Sequence, residues 1–173
     1  MKTFIQLVAA CLLSQAILAQ PNTWKRIADF GGGNRLDATG FSVGGKLYVG
    51  TGYSNGAFFN DFWEYDPATD KWTRKADFPG GVRSNAEGFS IGSKGYIGIG
   101  EGPNFVQFKD FWEYDPSSNI WTREADFGGA GRAQAVGISI GNKGYIGTGS
   151  NYADFWEYTP DACNGFYVYA DQD

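Results

Sequence analysis

Trp72-Thr-Arg-Lys-Ala-Asp-Phe78 decides the reading of this chain, because the same phrase stands twice more, as Trp24-Lys-Arg-Ile-Ala-Asp-Phe30 and Trp121-Thr-Arg-Glu-Ala-Asp-Phe127. A repeat of 48 to 49 residues fixes the architecture before any local signal is weighed. The register holds beyond the phrase. An arginine follows at Arg35, Arg83 and Arg132, then Gly40-Phe-Ser-Val-Gly44, Gly88-Phe-Ser-Ile-Gly92 and Gly137-Ile-Ser-Ile-Gly141. Next come Lys46-Leu-Tyr-Val-Gly50, Lys94-Gly-Tyr-Ile-Gly98 and Lys143-Gly-Tyr-Ile-Gly147, and each unit closes on Asp-Phe-Trp-Glu-Tyr at 61–65, 110–114 and 154–158.

Within a unit, short β-branched and aromatic runs are bounded by Gly, Asn, Asp and Pro, which is the pattern of strands and tight turns. In the first unit the strands are expected over 38–43, 46–51, 62–65 and 71–75. Pro67, Pro116 and Pro160 fall where a strand must stop, since proline has no backbone donor for the ladder. After the first 19 residues no stretch keeps a 3.6-residue apolar period, so a helical repeat is excluded. Four antiparallel strands in 48 to 49 residues make one blade of a propeller.

These residues resemble the kelch family. The spacing from Tyr65 to Trp72 and from Tyr114 to Trp121, the Tyr-Asp-Pro turn between them and the glycines that end the second strand all match its pattern. The glycine doublet usual in that family is spaced here, as Gly50-Thr-Gly52, Gly98-Ile-Gly100 and Gly147-Thr-Gly149. The resemblance implies an all-β fold of kelch-type β-propeller blades, three in number, forming a partial propeller or open arc. The expected organisation is a signal peptide over 1–19, three blades over 20–160 (repeats at about 35–78, 83–127 and 132–160), and a tail over 161–173. The phrase from Trp24 to Phe30 is a fourth strand that precedes the first blade, as in a propeller whose N-terminal strand completes its last blade. Phe166 to Tyr169 is a substitute candidate for that strand.

Lys2 followed by a largely apolar run to Leu18 and a small residue at Ala19 reads as a secretory signal, giving an extracellular or periplasmic product. No later stretch approaches the roughly 20 apolar residues that a membrane-spanning helix needs, so no membrane insertion is expected. With 14 basic and 19 acidic residues the net charge is −5, and it becomes −6 when Lys2 leaves with the signal. That sign disfavours nucleic acid as a partner. There is no histidine, which removes Ser-His-Asp and Cys-His nucleophiles, imidazole metal ligands and histidine proton shuttles. Of the two cysteines, Cys11 lies within the signal, so Cys163 would be left without an intrachain partner. No cofactor is expected; a calcium ion held by loop oxygens is the one exception entertained.

Two sets of residues are candidate binding groups. Arg35, Arg83 and Arg132 recur between strand four and the next strand one, where a ring of guanidinium groups could take a carboxylate or other anion; alternatively each bridges to a neighbouring blade's Asp and fixes blade packing. The connections between strands two and three vary most and share that rim. Phe58, Phe59, Phe105, Phe108 and Tyr152 lie in them, either as a stacking platform or folded back as extra core. The repeated carboxylates of Asp-Phe-Trp-Glu-Tyr suggest a glycosidase pair, but a catalytic pair is needed once and its members need different surroundings. No unique acid or base stands out from the repeat except Glu87 and Glu101 in blade two. The six tryptophans are expected to be largely blade core.

The first expectation for function is a secreted noncatalytic module of kelch type that recognises a protein or glycan through loops on one rim. The alternative implied by the resemblance is a sialic-acid-processing enzyme, an epimerase or hydrolase, using the arginine cluster; copper oxidases of this architecture are ruled out by the missing histidines. Three blades cannot comfortably close a ring, so a homodimer completing a six-bladed propeller is a further expectation.

Overall fold

A computed structural model describes residues 22–161. Residues 1–19, expected to be a signal peptide, both cysteines and the expected tail strand 166–169 lie outside them. The described chain is all-β apart from one 3₁₀ turn, Pro103–Phe105. Its strands are β1 (Thr39–Val43), β2 (Lys46–Gly50), β3 (Tyr53–Ser54), β4 (Ala57–Phe58), β5 (Phe62–Asp66), β6 (Lys71–Arg74), β7 (Glu87–Ile91), β8 (Lys94–Gly98), β9 (Phe111–Asp115), β10 (Ile120–Arg123), β11 (Val136–Ile140), β12 (Lys143–Gly147) and β13 (Phe155–Tyr158).

These strands form three antiparallel blades. Blade one runs β1-β2-β5-β6, blade two β7-β8-β9-β10, and blade three β11-β12-β13; β3 and β4 form a small hairpin in the first β2–β5 connection. The inner strands pack in sequence, β1 against β7 and β7 against β11, so the blades form an open arc. Register repeats from blade to blade: Tyr65 faces Trp72 and Tyr114 faces Trp121 across the outer strand pair.

At each seam close packing rests on a glycine of strand two. A Cβ on Gly95 would overlap the Phe41 ring of blade one, and a Cβ on Gly144 would overlap Phe89 of blade two. The bare backbone lets each ring enter the next blade. There Phe41 stacks on Tyr48 and, with Phe62 and Phe78, meets Tyr114 and Trp121 in one buried cluster. Phe89, Tyr96, Phe111 and Phe127 repeat that cluster against Ile146 and Tyr158 of blade three. Apolar area removed from water at these two seams is the main source of stability.

Among the described residues the segment from Trp24 to Phe30 pairs with no strand: blade one takes its fourth strand from its own Lys71–Arg74, and blade three shows three strands. One expectation is corrected. The tryptophans divide. Trp63, Trp72, Trp112 and Trp121 are half-buried, whereas Trp24 is fully exposed and Trp156 is 42% exposed. Trp24 stands beside no described strand, and Trp156 lies on β13, which pairs with β12 on one side and with no described strand on the other.

Candidate functional site

Strands one and three of a blade begin on the same edge, so the connections four-to-one and two-to-three emerge together. On that edge the side chains of the three arginines are buried, Arg35 to 3% exposure and Arg83 and Arg132 completely. Each forms a bidentate pair with the first residue of its own repeat's Asp-Phe-Trp-Glu-Tyr phrase: Arg35 with Asp61 at 2.6 and 3.0 Å, Arg83 with Asp110 at 2.7 and 2.9 Å, and Arg132 with Asp154 at 2.6 and 3.0 Å. Each also donates to the carbonyl of Thr51, Ile99 or Thr148. A tryptophan indole N–H completes the carboxylate's shell at 2.7 Å. Hydrogen bonds from Arg132 and Trp156 hold the Asp154 carboxyl down at about 2.

The faces of each guanidinium are covered as well. Arg35 lies between Phe30 and Phe59, Arg83 between Phe78 and Phe108, and Arg132 between Phe127 and Tyr152, all at 4.1–4.8 Å. Phe59, Phe108 and Tyr152 are therefore lids on the arginines, a cation–π arrangement strengthened by desolvation. Of the two readings of the arginines, the geometry gives the pairing with aspartate, although within one repeat rather than between blades.

One backbone difference marks blade three. Gly33 and Gly81 have φ of 78° and 89°, and the Nε atoms of Arg35 and Arg83 find no partner. Ala130 stands at the equivalent position, where a Cβ disfavours that conformation. Its carbonyl accepts from Arg132 Nε at 3.1 Å.

Glu64, Glu113 and Glu157 are likewise engaged, each accepting from the hydroxyl of Tyr48, Tyr96 or Tyr145. Glu64 and Glu157 also pair with Lys46 and Lys143. Burial is the larger influence on Glu64, yet hydrogen bonds from Lys46 and Tyr48 outweigh it and lower its titration. The repeated acids and bases thus stabilise the blades. Among the described residues no cluster of three or more acids or thiols could hold a metal ion.

What remains on the rim is made of positions that differ between repeats. Asp37, Tyr53, Phe58, Ser84, Glu101, Asn104 and Phe105 line a cleft of about 320 Å³ between blades one and two. Its walls are fixed by backbone pairing: Leu36 with Tyr53, and Ser84 with Glu101, in both directions at 2.8–2.9 Å. Tyr53 and Phe58 meet edge-to-face with centroids 4.9 Å apart. Asn85 Nδ2 donates to Glu101 Oε1 at 3.3 Å. Asn104 and Phe105 both adopt left-handed backbone, φ 59° and 60°, and Phe105 is 86% exposed. Two consecutive non-glycine residues held that way cost stability, and such strain gathers where side chains are presented to ligands.

Sequence reasoning placed Phe58 and Phe105 here and named Glu101 as an acid outside the repeat, but it missed Asp37, Tyr53, Ser84 and Asn104. The signal was available: Asp37, Asn85 and Gln134 are equivalent, as are Tyr53, Glu101 and Ser150, and both sets change character in a chain that otherwise repeats almost verbatim. Glu87, the other acid outside the repeat, lies on β7 at the seam with blade three, where Gly137 donates its backbone N–H. Burial raises it to about 7.

Comparison with known proteins agrees with this architecture. The family model described as the Kelch motif matches residues 34–79, one repeat with its flanks. Over 56 residues the chain is 41% identical to the N-acetylneuraminate epimerase of Pasteurella multocida (strain Pm70), a match covering 30% of this chain and 15% of the epimerase. The solved structure described as "Structure of YjhT" superposes with a TM-score of 0.68 at 20% identity, over 82% of this chain and 56% of that one. The chain therefore spans about half the length of that structure and a small part of the epimerase; at 20% identity the superposition shows the fold alone.

Proposed function

Because the chain consists of kelch repeats folded as propeller blades, we propose that it is a noncatalytic binding module, secreted, that takes a neutral, hydroxyl-rich glycan in the cleft between blades one and two. The observation that carries this reading is the meeting of unlike side chains at one place on the rim. Tyr53, Phe58 and Phe105 supply ring faces for the apolar side of a sugar. Asp37 and Glu101 supply acceptors for hydroxyl groups, and Asn104 and Ser84 add amide and hydroxyl partners. A general acid and base need unlike environments and a place to act, and the repeated carboxylates are held in like ones by Arg, Trp, Tyr and Lys.

A glycan array with the mature chain tests this, followed by titration of the best ligand. Phe105→Ala is expected to weaken binding at least tenfold while leaving the melting temperature nearly unchanged, since an 86% exposed ring adds little to folding. Unaltered affinity in that variant would place the ligand elsewhere.

Identity to an N-acetylneuraminate epimerase favours a second reading, in which the chain acts on that acidic sugar. The cleft presents two acidic residues and the three arginines are occupied, which opposes an anionic ligand at this rim. Nuclear magnetic resonance of N-acetylneuraminate incubated with the protein separates the two, because turnover would establish the enzyme.

A further inference from the structure

A second cavity, of about 150 Å³, opens at the outer edge of blade three and is lined by Phe111, Ala125, Phe127, Ile146, Trp156 and Tyr158 among others. Its walls have counterparts in blade two. There Trp121 packs on Phe62, Phe78 and Tyr114 with centroids 4.8–5.2 Å away, and its indole N–H donates to the Ala76 carbonyl at 3.0 Å. By repeat position Phe111 is Phe62, Phe127 is Phe78, Tyr158 is Tyr114 and Ala125 is Ala76. The cavity is a tryptophan socket, and a volume of roughly 150 Å³ admits a benzene-sized ring.

The matching tryptophan is on the other end of the arc. Trp24 opens the same phrase as Trp72 and Trp121 and is fully exposed. The rest of its phrase is already in place: the Ala28 carbonyl accepts from Trp72 at 3.2 Å, and its N–H donates to Asp70, as Ala76 does with Trp121 and Asn119 of blade two. Residues 76–78 thus lie on blade two after leaving strand four of blade one. Residues 28–30 lie on blade one in the same way, after a strand whose blade is not in this arc.

The open faces fit each other. At the two internal seams a phenylalanine enters above a glycine, Phe41 on Gly95 and Phe89 on Gly144. At the ends the pair is changed on both sides, to Ile138 on blade three and Leu47 on blade one. The shorter side chain stands where the ring was and the larger one where the glycine was, so the two alterations compensate. Both surfaces are apolar and open, with Val136, Ile138 and Ile140 47–65% exposed and Leu47 37% exposed.

We propose that two copies of this chain close into a six-bladed ring, the Trp24–Phe30 segment of each supplying the fourth strand of blade three in the other and Trp24 filling the socket. By the register of blades one and two, Trp24 pairs with Tyr158 and Arg26 with Trp156. The interface is isologous as a whole and closed, which limits assembly to two copies.

Light scattering on the mature chain over a range of concentrations tests the assembly. A discrete dimer is expected. Trp24→Ala should raise the dissociation constant a hundredfold or more while the far-ultraviolet spectrum stays unchanged, since Trp24 is fully exposed among the described residues. Ile138→Asp, at the seam and not in the socket, should give a folded monomer. A wild-type monomer at all concentrations, an open polymer, or a dimer indifferent to both substitutions would overturn the proposal.

Discussion

Arg83 has no exposed surface and is surrounded by Asp110, two carbonyls, Phe78 and Phe108, so its charge is neutralised by a partner that is only 15% exposed. Removing one member of such a pair strands the other. Arg83→Ala is expected to cost about 3–5 kcal/mol in chemical denaturation. Arg83→Lys should recover little, because an ammonium cannot make the bidentate fork or lie flat between two rings. If the alanine variant kept its stability and lost only affinity for an acidic ligand, the arginines would belong to a binding site after all. The repeat itself made these residues legible, and their partner class was among the readings. What the sequence could not convey is that the loop phenylalanines divide within one to three positions: Phe59 and Phe108 turn inward as lids, while Phe58 and Phe105 in the same loops face the cleft. Phe58 belongs to the β3–β4 hairpin, whereas Phe59 is bridged to Arg83 of the next repeat, a pairing between distant segments that no local pattern encodes.

Strand two of each blade carries the contact that permits stacking, and its residue after the lysine is the sensitive point. Gly95→Ala is expected to lower stability by about 1–3 kcal/mol, because the added methyl must displace the Phe41 ring from a packed seam; equilibrium denaturation measures it. The blade strands were read to within about a residue, since alternation, glycine and proline bound them tightly. The stretch at 24–30 is expected to be a strand on the same evidence and is unpaired among the described residues, because a strand exists only beside another and no described strand lies next to it. Strand one of blade two carries a separate consequence. Glu87 is an ordinary carboxyl near 4.5 when unfolded and is raised to about 7 when folded, chiefly by burial. Below pH 4.5 it is protonated in both states and imposes no penalty; between pH 4.5 and 7 the folded state holds the extra proton, so stability falls as pH rises. Glu87→Gln should therefore melt higher than the wild type at pH 8 and the same at pH 4. Equal melting temperatures at both pH values would show that the seam solvates the carboxylate.

Stability in a chain of stacked units is the sum of what each unit contributes and what each seam adds. Blade two is covered on both faces, whereas blades one and three have one face each toward a neighbour in the arc. Blade three is the weaker end, because among the described residues it pairs three strands rather than four and leaves the β13 edge and the socket beside it uncovered, and it holds Asp154 41% exposed where Asp61 and Asp110 are about 15%. In the Ile138→Asp variant, where no second copy covers that end, backbone amide exchange should be slowest in β7 to β9, intermediate in β1 to β6 and fastest in β11 to β13. Peptide-resolved exchange followed by mass spectrometry reads this gradient directly. Uniform protection across the three blades would mean that they open together. Seam coverage would then not set local stability, and the apolar faces at the ends of the arc would contribute less than their area suggests.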